Sequence, residues 1–309
     1  MTFVLPLLIL AIVLDLCFSN LLSKSNDYPG EIEVWNDIYD SDAECDVAIY
    51  GSSRAWVQIN PQIIGDSLNL KAYNFGMDGH NFWLQYLRHK ELIANNKKPQ
   101  LIILSVDVFS LQKREDLYKQ NQFLPYMLWN ENMTEYTSSY IGYTKADYYV
   151  PFYRYGGRYN DLKTSLKILI ENEPKESYRK DGYLGLDRKW NGDFEAAQAD
   201  ANSYEVIFDQ ESVQLMETFI QECDSLDIDL VMLYTPEHVM GQEYISNRSE
   251  VIDIYKNFSE KYDLDFYDYS NDKICLDTNQ FYNTIHLNMH GADRFSKEFA
   301  SVLHDRSRQ

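Results

Sequence analysis

Asp46-Val47-Ala48-Ile49-Tyr50-Gly51-Ser52-Ser53-Arg54 is a short β-prone run that stops on a glycine and two serines. Glycine permits a tight strand-to-helix turn, so the stretch reads as a buried strand feeding a helix. Four more runs of the same kind follow: Lys71–Phe75 (KAYNF), Leu101–Val106 (LIILSV), Ile228–Tyr234 (IDLVMLY) and Leu264–Tyr267 (LDFY). Between them Phe82–Ala94, Val213–Leu226 and Val251–Tyr262 place apolar residues at helical spacing. Strands alternating with helices predict a parallel sheet with crossover connections. Five such strands predict an α/β fold, a three-layer α/β/α sandwich on a five-stranded parallel sheet.

In an open parallel sheet, ligands bind outside the carboxyl ends of the strands, which singles out the residues that follow each strand. After the first, Ser53 would have its hydroxyl at the sheet edge and its N–H at a helix start, suited to attack and to oxyanion binding. A turn serine capping the next helix is the competing role. After the second come Asn74-Phe75-Gly76, where Gly76 could bring its N–H to the same point and Asn74 could line the pocket. Asp107 follows the third strand, and Glu237-His238 the fourth, with His238 a further pocket candidate. Near the C-terminus, Asn283-Thr284-Ile285-His286 precedes a helix expected over Gly291–Leu303, so His286 could reach back to Ser53 as general base. The pair His286 and His290 lacks a third ligand, no nucleotide-binding glycine loop is present, and no cofactor or metal is implied.

Together these blocks resemble the SGNH, or GDSL-type, hydrolase and acyltransferase superfamily, over about residues 46–108 and 226–303. The resemblance implies a flavodoxin-like fold, Ser53 as nucleophile, the N–H groups of Ser53 and Gly76 as oxyanion hole, and His286 as base. The run HLNMHGADRFS (residues 286–296) is similar to the ending of a membrane-anchored branch that includes the D-alanyl-lipoteichoic acid and alginate O-acetylation proteins. That likeness implies an extracytoplasmic (periplasmic) body acting on a cell-envelope glycan or acylated carbohydrate, beside a membrane-bound O-acyltransferase. Two positions depart from the pattern. Where the family has an aspartate three before the histidine, this chain has Asn283, which can orient an imidazole but cannot stabilise an imidazolium by charge. Where the family has an oxyanion-donating asparagine, Asp107 stands, and a carboxylate facing the oxyanion would cost about 10²–10³ in rate. Arg54, next to the serine, is the candidate to neutralise it or to supply a donor in its place. The string Gly65-Asp66-Ser67-Leu68 spells the family name but lies in a proline-started helix pattern, too close to the second strand to hold the nucleophile.

Residues 2–22 are almost wholly apolar, close to the roughly 20 residues that span a bilayer, and are interrupted by Asp15. An uncleaved anchor is the expectation and a cleaved signal segment its rival. Asp15 is costly in lipid and would face a partner helix, unless the span ends near Leu14. The chain of 309 residues carries 48 Asp and Glu against 28 Lys and Arg, a formal charge of −20 that argues against nucleic-acid binding. The division expected is a membrane segment over 1–22, an acidic linker over 23–44, and one α/β domain over 45–309 with an insertion at about 112–209. Ten of the 25 tyrosines fall between Tyr118 and Tyr159. They could line a sugar-binding groove or build an irregular core. Cys17, Cys45, Cys223 and Cys275 form no zinc spacing; one disulfide, or buried free thiols, are the alternatives. The function expected is a serine esterase or O-acyltransferase on envelope polysaccharide, with a catalytically degenerate glycan-binding or assembly protein as the alternative.

Overall fold

A computed structural model describes residues 4–25, 30–171, 178–192, 203–306 and 308. The strands are β1 (Val47–Gly51), β2 (Ala72–Asn74), β3 (Leu101–Val106), β4 (Asp229–Tyr234), β5 (Asp265–Asp268), β6 (Phe281–Asn283) and β7 (His286–Leu287). The helices of the first half are α1 (Val4–Leu22), α2 (Glu31–Tyr39), α3 (Ser53–Gln58), α4 (Pro61–Leu68), α5 (Phe82–Asn95), α6 (Glu131–Thr137), α7 (Lys145–Tyr149) and α8 (Tyr159–Glu171). Those of the second are α9 (Gln210–Ser225), α10 (Val239–Tyr244), α11 (Arg248–Tyr262) and α12 (Met289–Arg306). The chain divides into two compact units, one of residues 1–42 and 114–179, the other of 43–113 and 180–309.

In the larger unit, β1–β5 form one parallel sheet in the order β2-β1-β3-β4-β5, with Ile49 opposite Ile103 and Ile103 opposite Val231. Its central strands are buried on both faces, as their unbroken Val, Ile and Leu runs require. One face packs Val47, Ile49, Ile103, Val231 and Leu233 against Phe295, Phe299 and Leu303 of α12 and the helices α3 and α4. The other carries α5 and α9, with the Phe219 ring edge-on to Tyr50 and Phe82. This is the three-layer sandwich expected, and the five strands lie within two residues of their predicted bounds. Strand order reverses between β1 and β3, and the carboxyl ends of the strands at such a reversal are where open α/β sheets place their ligand sites. Ser53 follows the first of these strands and Asp107 the second.

The smaller unit draws on both the expected linker and the expected insertion. Residues 23–44 are not a plain linker: α2 buries Ile32, Val34, Trp35 and Ile38, and the Trp35 ring packs against Phe123 and Tyr126. Two of the acidic residues that made the stretch look solvated are paired instead, Glu31 with Arg179 at 2.5 Å and Glu33 with the N–H groups of Tyr178 and Arg179. The insertion at 112–209 is likewise not one body, since its part from Lys180 onward belongs to the sheet-bearing unit; residues 172–177 and 193–202 of it lie outside the described residues. Its tyrosines split, Tyr136, Tyr140, Tyr148 and Tyr155 being buried and Tyr118, Tyr149, Tyr153 and Tyr159 exposed.

Helix α1 is the one described helix long and apolar enough to cross a membrane. Asp15 does not face lipid: it takes two hydrogen bonds of 2.7 Å from the Arg154 guanidinium and a third, also 2.7 Å, from the Phe152 N–H. A fully desolvated charge requires such a partner, and the chain supplies its own. All four cysteines are free thiols; Cys17 is exposed, and burial pushes Cys45 up to about 12 and Cys275 up to about 11.

Candidate active site

The turn after β1 sets the site. Gly51 has φ +150°, and a Cβ there would sit 2.7 Å from the Ser105 carbonyl oxygen, so only glycine lets β1 lie this close to β3 as it turns. Ser52 then caps α3, its Oγ accepting the Arg54 N–H at 3.2 Å, which leaves Ser53 at the first helical position. From the other end of the sequence the short β6–β7 hairpin carries Asn283 and His286.

Ser53 Oγ lies 2.8 Å from His286 Nε2, and His286 Nδ1 lies 3.1 Å from Asn283 Oδ1. All three residues are half-buried. Asn283 Oδ1 accepts the backbone N–H groups of His286 (2.9 Å) and Ile285 (3.1 Å) as well. An oxygen that takes three N–H donors fixes Nδ1 as the protonated nitrogen and leaves the Nε2 lone pair to Ser53. The Tyr282 ring stacks on His286, with centroids 5.2 Å apart and planes at 4°, and the exposed Arg188 guanidinium lies 5.7 Å from the Tyr282 centroid. Burial, and then the fields of Arg54 and Arg188, hold His286 down at about 3, below its ordinary 6.5. The imidazole is therefore neutral across the physiological range, ready to accept a proton but a weak base.

No protein-family model matches the chain, and no curated protein does. Three solved structures are similar to the chain overall, at low likeness. One is described as an acylhydrolase, from Bacteroides fragilis, with 10% identity over 84% of this chain and 87% of that one, TM-score 0.38. The second, described as a lipolytic protein of the G-D-S-L family, from Desulfitobacterium hafniense, has 11% identity over 83% and 98%, TM-score 0.40. The third, a GDSL-like lipase from Bacteroides thetaiotaomicron, has 9% identity over 87% and 98%, TM-score 0.40. Likeness at that level carries no statement about this chain's chemistry, which rests on the geometry above.

Several expected site residues have other duties. The Gly76 N–H, expected to face the oxyanion, donates to Asn74 Oδ1 at 2.9 Å, and a Cβ on Gly76 would meet the Trp56 nitrogen at 2.4 Å. Asn74 is fully buried, and its amide nitrogen donates to the Ala55 and Ile59 carbonyls, both at 2.8 Å, and so ties β2 to α3. Among the described residues the Ser53 N–H has no acceptor, so of the expected pair of N–H groups it is the one that remains free. Arg54 does not pair with Asp107. It bonds Glu237 Oε2 at 3.0 Å, Thr235 Oγ1 at 3.1 Å and the Thr235 carbonyl, and lies over the Tyr234 ring. Asp107 is held by the Ser52 hydroxyl at 2.6 Å on Oδ2 and the Phe109 N–H at 2.8 Å on Oδ1.

Glu237 and His238 are buried, Glu237 also accepting from Tyr234 (2.6 Å) and Arg248 (3.1 Å), while His238 packs between Trp190 and Phe281. Ser67 lies in α4 with its hydroxyl on the Ala300 carbonyl at 3.2 Å, away from the triad. Tyr282 and Arg188 were not anticipated. Tyr282 could have been suspected as the neighbour of Asn283, whereas Arg188 sits in an irregular stretch with no pattern to mark it.

Proposed function

We propose that the protein is a membrane-anchored serine esterase or O-acyltransferase whose body lies outside the cytoplasm and acts on acyl groups of a cell-envelope polysaccharide. The observation that carries the reading is the row Ser53 Oγ, His286 Nε2, His286 Nδ1, Asn283 Oδ1, with separations of 2.8 and 3.1 Å at its two hydrogen bonds. Ser53 Oγ attacks the acyl carbonyl while Nε2 takes its proton, and the Ser53 N–H stabilises the developing oxyanion. The imidazolium returns the proton to the leaving alcohol, and the acyl group stays on Ser53. Water then releases it as the acid, or a sugar hydroxyl carries it away as a new ester, with His286 again accepting the attacking proton. The polysaccharide, the membrane acyltransferase partner and the extracytoplasmic placement come from the likeness of residues 286–296 to the membrane-anchored branch.

A second reading is favoured by Asn283 and by the low affinity of His286 for a proton: a non-catalytic glycan-binding or assembly protein that retains the frame of an enzyme. A fluorophosphonate probe on the full chain in detergent, with the modified peptide mapped by mass spectrometry, separates the two. Labelling confined to Ser53 and lost in Ser53→Ala supports the enzyme. Folded protein that resists the probe, and binds glycan equally well with or without Ser53→Ala, supports the second.

A further inference from the structure

Large apolar side chains exposed to solvent are distributed very unevenly. Among the described residues, all of them except Phe109, Tyr204, Ile207 and Leu276 belong to the smaller unit. Those of α1 between Val4 and Leu16 are accounted for by a bilayer. Those outside α1 are not. Besides Tyr118, Ile141, Tyr159 and Tyr178 they form two groups, Leu166, Leu169 and Ile170 on α8, and Trp129, Tyr149, Val150 and Tyr153 at the end of α7 and on the turns beside it.

Both groups are fixed to one level of α1. The Phe152 N–H and the Arg154 guanidinium bond Asp15, the Phe18 and Phe152 rings are 5.5 Å apart, and Trp129 Nε1 donates to the Tyr149 carbonyl at 3.1 Å. Phe152 and Arg154, neighbours of Tyr153 in the chain, therefore hold these turns beside α1 at the level of Asp15 and Phe18. Helix α8 packs along α1, with the Ser165 hydroxyl 3.4 Å from the Phe18 carbonyl, while Leu166, Leu169 and Ile170, at the i, i+3, i+4 spacing of one helix face, remain bare; Ile170 is 82% exposed. Tryptophan and tyrosine collected at the root of an apolar helix are what a membrane–water interface selects, since their rings are apolar at one end and wet at the other. Lys163 and Lys167, exposed on the same helix, have stems long enough to lie along apolar surface with the ammonium at the anionic headgroups.

We propose that the smaller unit is itself seated in the bilayer surface, with the bare face of α8 as a second membrane contact beside α1 and Trp129, Tyr149 and Tyr153 at the headgroup level. This rests on the reading that α1 enters a membrane. The occupant of the bare α8 face is lipid, and the Asp15–Arg154 pair is the buried joint that sets the depth of the unit.

The test places an environment-sensitive nitrobenzoxadiazole label on single cysteines in the full chain, in a Cys17→Ser background, the other three thiols being buried. Val13→Cys reports α1, Tyr153→Cys and Leu169→Cys report the proposed contact, and Leu276→Cys is the reference in the other unit. The proteins are reconstituted into phosphatidylethanolamine–phosphatidylglycerol vesicles with and without doxyl-labelled lipid. Blue-shifted emission at positions 13, 153 and 169, mostly lost to the doxyl quencher, with a water-like signal at 276, is the expected result. Water-like emission at 153 and 169 with a quenched label at 13 would overturn the second contact and leave the anchor standing. A water-like label at 13 would remove the anchor itself. Labels at 153 and 169 that are shielded from water yet insensitive to doxyl lipid would overturn the lipid assignment in favour of a protein covering that face.

Discussion

Replacing Asn283 by aspartate should make the site a markedly better catalyst. The frame for a carboxylate is already built: Asn283 Oδ1 receives the Nδ1 side of His286 at 3.1 Å and two backbone N–H groups at 2.9 and 3.1 Å, and a carboxylate oxygen accepts all three without rearrangement. What changes is charge. A unit negative charge about 4 Å from the imidazolium, at the effective dielectric of about 20 suited to a site near the surface, stabilises it by about 4 kcal/mol, a ceiling of ~10³ in rate. The row is only half-buried, so solvent takes part of that, and a gain of about 10² in kcat/KM is the expected outcome. In serine proteases the reverse exchange, aspartate to asparagine, costs about 10⁴ in kcat, which brackets the figure from above.

The assay is hydrolysis of p-nitrophenyl acetate by wild type and Asn283→Asp as a function of pH, with fluorophosphonate inactivation rates alongside. The carboxylate should lift His286 back toward the ordinary histidine range, so the acid limb of the variant moves up in pH as its plateau rises. A folded variant whose acid limb moves but whose rate at neutral pH stays at the wild-type level would refute the reasoning, because imidazolium stability would then not govern attack by Ser53.

Stability should carry the signature of His286. Its folded value of about 3 lies below the ordinary 6.5, so the neutral ring stabilises the fold fully above pH 6.5, and that contribution is lost as pH falls toward about 3. The loss is at most about 1.4 kcal/mol per pH unit, less for the ring's partial exposure, and His89, held at about 4 by burial, adds to it with the same sign; urea midpoints of His286→Gln should show a shallower acid slope than wild type, and an equal slope would count against the assignment. Arg54→Met should destabilise the sheet-bearing unit by about 3 kcal/mol, because it strands Glu237, 2% exposed, with only Tyr234 and Arg248 to answer its charge. Arg54→Met with Glu237→Leu should recover part of that loss in the same urea titration, and a double variant no better than the single would sink the ion-pair explanation.

The sheet and the turn that presents Ser53 were legible in the sequence because both depend on local signals, whereas the pairing of Ser53 with His286, 233 positions on, was expected only through the family resemblance. A run such as Leu101–Val106 is apolar throughout only if both its faces are covered, and Gly51-Ser52-Ser53 is a turn into a helix by its own backbone preferences. What was not legible depended on partners distant along the chain. Helix α2 hid behind its acidic residues because Arg179, which neutralises Glu31, lies 148 positions away. Arg54 was assigned to the nearer strand end at Asp107 although its partner Glu237 lies 183 positions on, and Asp15 found Arg154 across 139. The engagement of Gly76 is different: Asn74 bonding a main-chain N–H two residues on is a local habit of asparagine in turns, so the sequence Asn74-Phe75-Gly76 already contained the warning.

Asp107 is the position where sequence and structure lead to opposite expectations for one substitution. A carboxylate in the place of an oxyanion donor predicts that Asp107→Asn, by removing the repulsion and restoring a donor, speeds the reaction by about 10²–10³. In the structure both oxygens are occupied, Oδ2 by the Ser52 hydroxyl and Oδ1 by the Phe109 N–H, and the side chain is 2% exposed. Ser52 in turn caps α3 through the Arg54 N–H, so the carboxylate anchors the turn that presents Ser53. An asparagine can accept from Phe109 with its oxygen, but its amide then meets Ser52 Oγ as a donor and leaves the serine proton without its acceptor. The expected result is therefore a loss of about 1 kcal/mol in stability and a rate within about tenfold of wild type. A hundredfold gain in kcat/KM with stability unchanged would show that the carboxylate reaches the oxyanion after all, and would overturn its reading as the brace of the nucleophile turn.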